Sequence, residues 1–176
     1  MRTPHFLALF LLFAIATSAN AQQKSTPAEL GVDAGVSIGF DAPRQTAVSI
    51  PVPAIRLGLF LTDRVSVEPR FGFQSFHDET GTSSAYTGEL GVLFHFENNP
   101  IGRGLYARPF VGLVGAHVVG ESDTQTFFGG GLGVKEAFAD RFASRLEVNY
   151  SHMTAPTDGS ASNNLGILFG ISVFNR

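Results

Sequence analysis

The chain of 176 residues contains no cysteine and no tryptophan, and only 15% of its residues are charged. Without cysteine there is no disulfide framework, no thiolate nucleophile and no Cys-ligated metal. The charged fraction falls well below the roughly 25% of an ordinary soluble domain. Disorder needs the opposite balance, high charge with low hydrophobicity, yet 44% of these residues are apolar. The net charge of -3 and the pI of about 5.9 leave no basic footprint for nucleic acid. Past the N-terminus no segment approaches the roughly 20 apolar residues of a helical membrane span. What is plentiful is glycine and phenylalanine, 20 and 17 of them. That mixture suits a wall facing something other than water.

The one long apolar run lies at the start. Arg2 followed by FLALFLLFAIA (6–16) and Ala19-Asn20-Ala21 has the charged, apolar and A-x-A regions of a secretory signal peptide. The run is too short to span a bilayer. Three parts are expected: a cleaved signal peptide over 1–21, a short N-terminal periplasmic segment over 22–28, and a β domain over 29–176.

From residue 29 onward the pattern has period two, the mark of strands with two unlike faces. Leu30, Val32, Ala34, Val36, Ile38 and Phe40 share one parity, while Gly31, Asp33, Gly35, Ser37 and Gly39 share the other. Leu165, Ile167, Phe169, Ile171 and Val173 alternate likewise with glycine and serine near the C-terminus. Eight strands are predicted, near 29–41, 48–61, 65–77, 85–97, 104–118, 126–139, 142–153 and 163–174. Each exceeds the 9–11 residues that cross a bilayer at a tilt. The fold class is all-β: an eight-stranded antiparallel up-and-down transmembrane β-barrel. The expected longer polar connections, 41–47, 78–84, 119–125 and 154–162, fall on one rim, with shorter turns and both termini on the other. Prolines 51, 53, 69 and 109 interrupt the pattern: Pro51 and Pro53 are expected near a rim, Pro69 and Pro109 at local bulges.

The segments IRLGLFLTDRVSVEPRF (55–71) and FGGGLGVKEAFADRF (128–142) resemble the small OmpA/OmpX-type outer-membrane β-barrels. The resemblance covers roughly 29–176. It implies insertion by the barrel-assembly machinery, contact with outer-membrane lipid and lipopolysaccharide, and residence in the outer membrane of a Gram-negative envelope. One departure is the C-terminus, Val173-Phe174-Asn175-Arg176, whose aromatic sits two residues short of the end.

The inward parity carries Arg56, Arg70, Arg108, Lys135 and Arg145 with Asp33, Glu68, Glu89 and Glu147, plus His95. An eight-stranded barrel is just wide enough for side chains to fill, and buried charges must pair. A charge-paired, plugged lumen is therefore expected, with a narrow porin or ion channel as the alternative. The long-loop rim gathers Asp41, Asp78, Glu79, Glu121, Asp123 and Asp158 against Arg44 alone. Such an acidic rim suits a surface partner of unknown identity, but no Ca-binding spacing is present. The Gly129-Gly130-Gly131 run opens no helix and is no phosphate loop, so neither metal nor cofactor is expected. Tyr86, Tyr106 and Tyr150 are candidate interface anchors, although parity turns Tyr106 inward.

An enzyme reading comes from Tyr150-Ser151-His152-Met153-Thr154-Ala155, which resembles the His-x-Ser-Asn region of PagL-type lipid A deacylases. There Thr154 stands in place of the nucleophilic serine, and no acid follows Asp158 to orient His152. A non-enzymatic, monomeric barrel serving envelope structure or surface interaction is expected, with the deacylase as a second alternative.

Overall fold

The computed structural model describes residues 27–41, 45–49, 51–78, 81–97, 103–118, 121–155 and 160–175. The expected signal peptide lies outside these residues. Nine strands are formed: β1 (Ala28–Asp41), β2 (Gln45–Ser49), β3 (Ala54–Phe60), β4 (Val65–Asp78), β5 (Gly81–His95), β6 (Arg103–Val118), β7 (Glu121–Ala139), β8 (Phe142–Met153) and β9 (Ser162–Asn175). All pairings are antiparallel; β1 pairs with both β2 and β3, each later strand pairs with the next in the chain, and β1 closes on β9 from Ala28↔Asn175 to Asp41↔Ser162. Because β2 and β3 together flank β1 as one stave, the result is a closed eight-stave barrel.

The second strand of the prediction is thus split. Between Asp33↔Ala54 and Ser37↔Ser49, β1 advances three residues (34–36) while its partner advances four (50–53). The extra residue is a bulge-like insertion around Pro51 and Pro53, which have no amide hydrogen for the ladder. These prolines therefore sit within the wall and not at a rim. Beyond the insertion β2 pairs with β1 alone, and β4 from Phe73 to Asp78 pairs with β5 alone.

Pro69 and Pro109 are also placed differently from expectation. Neither lies in a bulge. Pro69 keeps register with Leu90 on β5, while the β3–β4 ladder skips from Arg56↔Arg70 to Leu59↔Val67. Pro109 keeps register with Gly130 on β7, while the β5–β6 ladder skips from Gly91↔Phe110 to Phe94↔Ala107. Each proline interrupts one of its two ladders and leaves the other whole, so register survives on both sides. The register shift that does occur lies between Ala137 and Ala139.

The two parities face different solvents. Ile55, Phe71, Leu90, Leu105, Leu132, Val148 and Ile167 all lie on the outer surface and are exposed. Inward lie Arg56, Glu68, Tyr106, Arg108, Lys135 and Glu147, each almost fully buried. This inverts a soluble protein's arrangement and fits a wall solvated by lipid, since closure leaves no open edge in the closed part of the ring. No helix among the described residues is long and apolar enough to cross a membrane.

At the end away from the termini, the connections are shorter than expected. Two residues separate β4 from β5 and two separate β6 from β7; the longest connection there runs from 154 to 161. The expected loop residues are instead strand. With 19 residues, β7 extends about 60 Å, or about 45 Å along an axis tilted by roughly 40°, well beyond an apolar band of about 25 Å. The surplus is polar on its outer face: Ser75, His77, Thr82, His117, Ser122 and Thr124. Below it, Tyr86 lies across Gly115 and its hydroxyl shares a hydrogen bond of 2.7 Å with Thr124 Oγ1.

Candidate functional site

The inward face is a filled column, built in layers from the terminal end. Phe60, Ala143 and Phe174 form an apolar floor. The His95 ring stacks on Phe60 at 5.6 Å, and its Nε2 lies 3.1 Å from Ser66 Oγ. The off-end aromatic Phe174 is thus turned into the lumen. Above the floor, Lys135 Nζ lies 5.8 Å from the rings of both Phe60 and Tyr106 and pairs with Glu29. Arg56 reaches Glu29, donates from Nε to Asp33 at 3.0 Å, and lies 3.4 Å from Glu68.

The middle layer centres on two carboxylates. Glu68 takes both oxygens' bonds from Arg145 Nη1, at 2.9 and 2.7 Å, and one from Arg70 Nε at 3.2 Å. Glu147 accepts from Tyr106 Oη at 2.9 Å, from Arg108 Nη2 at 2.6 Å and Nε at 3.0 Å, and from Arg145 Nη2. The Arg145 guanidinium lies 4.6 Å from the Tyr106 ring. Arg108 spans to Glu89, which Arg70 also approaches at 3.5 Å. Arg108 then covers Phe110 at 4.4 Å, and Phe110 meets Phe127 edge-on at 6.1 Å to cap the column.

Glycine makes this packing possible. A Cβ at Gly31 would strike the Arg56 guanidinium, one at Gly91 the Arg108 side chain, one at Gly131 the Glu147 carboxyl and one at Gly133 the Tyr106 ring. Each large inward side chain lies flat across a bare stretch of the neighbouring strand. One irregularity remains in the middle: Arg70 Nη2 and Asp33 Oδ2 are 3.2 Å apart, yet neither atom has a partner in hydrogen-bond geometry.

All ten predicted lumen residues therefore meet inside the barrel. Of the residues expected at the acidic rim, four are described. Asp41 ends β1, Asp78 ends β4 and Glu121 opens β7, so the topology spreads them around the rim. Asp123 is within β7, exposed, and accepts from Gln125 Nε2 at 3.0 Å. Glu79 and Asp158 lie outside the described residues. No group of three or more potential metal-ligating side chains occurs among the described residues. On the outer wall His152 Nδ1 lies 3.0 Å from Asn163 Oδ1. The Thr154 hydroxyl donates to the Thr126 carbonyl at 3.0 Å and accepts from the Thr126 amide at 3.2 Å. Thr154 thus extends the β7–β8 ladder, and its partner is backbone where a nucleophile would need His152.

A closed barrel with this inverted polarity leads to one comparison above others. A family model described as the outer membrane protein beta-barrel domain matches residues 7–172. The chain belongs to this family. Among solved structures, the outer membrane barrel of Neisserial surface protein A superposes with a TM-score of 0.67 at 14% identity, covering 85% of this chain and 99% of that one. Ail, the attachment invasion locus protein of Yersinia pestis, gives 0.50 at 11% identity, covering 86% and 99%. AlkL gives 0.54 at 9% identity, covering 90% and 94%. At these identities the likeness is one of fold. No curated protein matches by sequence.

One lumen residue of this outer-membrane barrel escaped the sequence reading. Glu29 is fully buried and ties Arg56, Lys135 and Ser172 together. It shares the parity of Gly31 and Asp33, so extending that count one step back finds it. With Glu29, the described residues place five carboxylates (Glu29, Asp33, Glu68, Glu89, Glu147) and five cations (Arg56, Arg70, Arg108, Lys135, Arg145) in the lumen. Tyr106, a candidate anchor whose parity points inward, follows its parity: it is fully buried at the centre of the network and is no interface anchor.

Proposed function

We propose that this outer-membrane barrel is a non-enzymatic wall protein whose lumen is closed to ions. It anchors in the membrane and presents its polar distal end to the cell exterior. The observation that carries this reading is the balanced ionic column: five cations on five carboxylates, with Arg56 and Arg108 nested on the bare glycines 31 and 91. A paired, hydrogen-bonded interior leaves no surplus charge to attract a permeating ion, and an unpaired one would cost several kcal/mol. Export through the 1–21 leader, insertion by the barrel-assembly machinery and a monomeric state belong to the same reading. The polar extension of β4 to β7 supports placing that end outside and both termini in the periplasm. A role at the cell surface is also in keeping with two proteins of like fold, one titled a surface protein and the other an attachment invasion locus protein.

The test is single-channel conductance of the refolded mature chain in a planar bilayer. Silence from inserted protein is expected. A steady conductance that Arg70→Ala or Glu89→Ala shifts would overturn the closed lumen and make the protein a narrow ion channel. The ill-matched Asp33–Arg70 contact favours that second reading over any other. Lipid A hydrolysis by the wild type, lost in His152→Ala, would overturn the non-enzymatic assignment.

A further inference from the structure

Among the described residues, the lipid-facing wall carries a shallow apolar recess. Ala107, Pro109 and Gly130 floor it, and Leu132, Val148, Tyr150 and Leu165 border it, around a volume of about 470 Å³. Register explains its shape. Pro109, Gly130, Tyr150 and Leu165 form one rung across β6 to β9. Ala107, Leu132 and Val148 form the rung below, nearer the termini. Small residues in β6 and β7 thus lie beside bulky ones. The position of Gly130 is open space on this face: a Cβ there would meet nothing nearer than the Arg108 carbonyl at 3.9 Å. Unlike the inward glycines, it receives no side chain from within the protein.

Two residues of the rung above, His152 and Asn163, are polar. The rung pairs Phe128 with His152 and His152 with Asn163. Tyr150 Oη donates to Asn163 Oδ1 at 2.8 Å, and His152 Nδ1 lies 3.0 Å from the same oxygen. A carbonyl oxygen only accepts, so both neighbours donate to it. That fixes the imidazole and leaves His152 Nε2 and the Asn163 amide nitrogen for an external group. Phe128 leans on the His152 ring at 5.3 Å and holds it in place. One rung higher, Thr126 and Thr154 mark the return to polar surface.

We propose that this recess holds an acyl chain of a phosphate-bearing membrane lipid, with its headgroup on His152 and Asn163. The occupant follows from position: the recess opens onto the same apolar wall that the surrounding bilayer covers, and chains are what the bilayer supplies there. The polar pair stands about 7 Å further along the strands, two residues at 3.3–3.4 Å each. With Nδ1–H donating to Asn163, the His152 Nε2 accepts and the Asn163 amide nitrogen donates, so the apolar slot ends in one acceptor and one donor, which matches a lipid's chain and a phosphate headgroup that offers acceptor oxygens together with an O–H or N–H donor. The inference rests on the membrane-wall reading above and does not depend on a closed lumen.

Native mass spectrometry of the refolded protein tests it, with three lipid probes added to detergent micelles: bisphosphorylated lipid A, its dephosphorylated form, and phosphatidylethanolamine. One lipid A molecule should be retained by the wild type. Gly130→Leu fills the recess and should lower retention of all three probes, each of which carries acyl chains, about tenfold or more. His152→Ala should lower retention of the phosphorylated probes by about tenfold while leaving the dephosphorylated form unchanged. Ala34→Leu, an equal enlargement on the exposed face of β1, should change nothing. Heat-modifiable gel mobility checks that each variant is folded. Equal retention by folded Gly130→Leu and wild type would overturn the proposal, and so would equal loss in Ala34→Leu. Loss of the barrel's membrane insertion altogether would instead refute the underlying reading, and vesicle flotation of the wild type reports that separately.

Discussion

Replacing Glu147 by alanine should destabilise the barrel by about 3–5 kcal/mol, the range for removing one partner of a buried ion pair. The structure sets the reasoning. Glu147 is fully buried and accepts hydrogen bonds from Tyr106, Arg108 and Arg145. Without it, Arg108 keeps Glu89 and Arg145 keeps Glu68, and the lumen carries one excess positive charge. Water entering the vacated space offsets part of this, which favours the lower half of the range. The measurement is urea unfolding of protein folded into lipid vesicles, followed by far-UV circular dichroism and extrapolated linearly to zero urea. The decisive companion is Arg108→Met with Glu147→Leu. It removes one charge of each sign and keeps the volume, and such exchanges are often neutral or stabilising. The double variant should therefore be more stable than Glu147→Ala. If Glu147→Ala lies within about 0.5 kcal/mol of wild type, or the double variant is no more stable than the single, the lumen is not a tightly paired network.

Three further outcomes follow from the two faces of the wall. Gly133→Val places a Cβ in the Tyr106 ring and should cost at least the roughly 1–3 kcal/mol of an overpacked core, whereas Gly130→Val on the outer face should be nearly neutral; the same unfolding assay compares them. Leu132→Arg, in the middle of the lipid-facing wall, should cost about 2–4 kcal/mol, and Asp63→Arg, exposed in the β3–β4 turn, less than about 0.5. Phe174→Ala opens the apolar floor and should cost about 3–5 kcal/mol, seen as a lower urea midpoint and not as a change in lipid retention.

The alternation of apolar with small or charged residues made the architecture readable in the sequence, because lipid on one side and a narrow lumen on the other demand opposite residue types at every step. Parity alone turned Arg56, Glu68, Arg108 and Arg145 inward, where they lie. Three things were not readable. Strand ends were hidden because Ser83, Ser84, Thr124 and Gln125 look like loop, yet they pair in tall hairpins above the apolar band. Composition carries no signal there once both faces are polar. The effect of proline was misjudged because a strand has two ladders: Pro69 and Pro109 each interrupt only one. The pairing of specific charges was unreadable because residues such as Lys135 and Glu29 are far apart in sequence and meet only through curvature.

That last pair has a consequence for how the ring shuts. Adding the inward charges strand by strand, β4 and β8 are neutral in themselves, and the β5–β6 hairpin balances Glu89 against Arg108. The first staves carry Glu29 and Asp33 against Arg56, one negative charge too many, while β7 contributes Lys135, one positive charge too many. These two surpluses sit toward opposite ends of the chain, and β8 and β9 stand between their strands. An unclosed sheet keeps them apart, each a bare ion on the way into hydrocarbon. Zipping β1 to β9 brings them together. Lys135 and Glu29 thus act as an electrostatic latch: the inner surface becomes neutral in the same step that closes the ring.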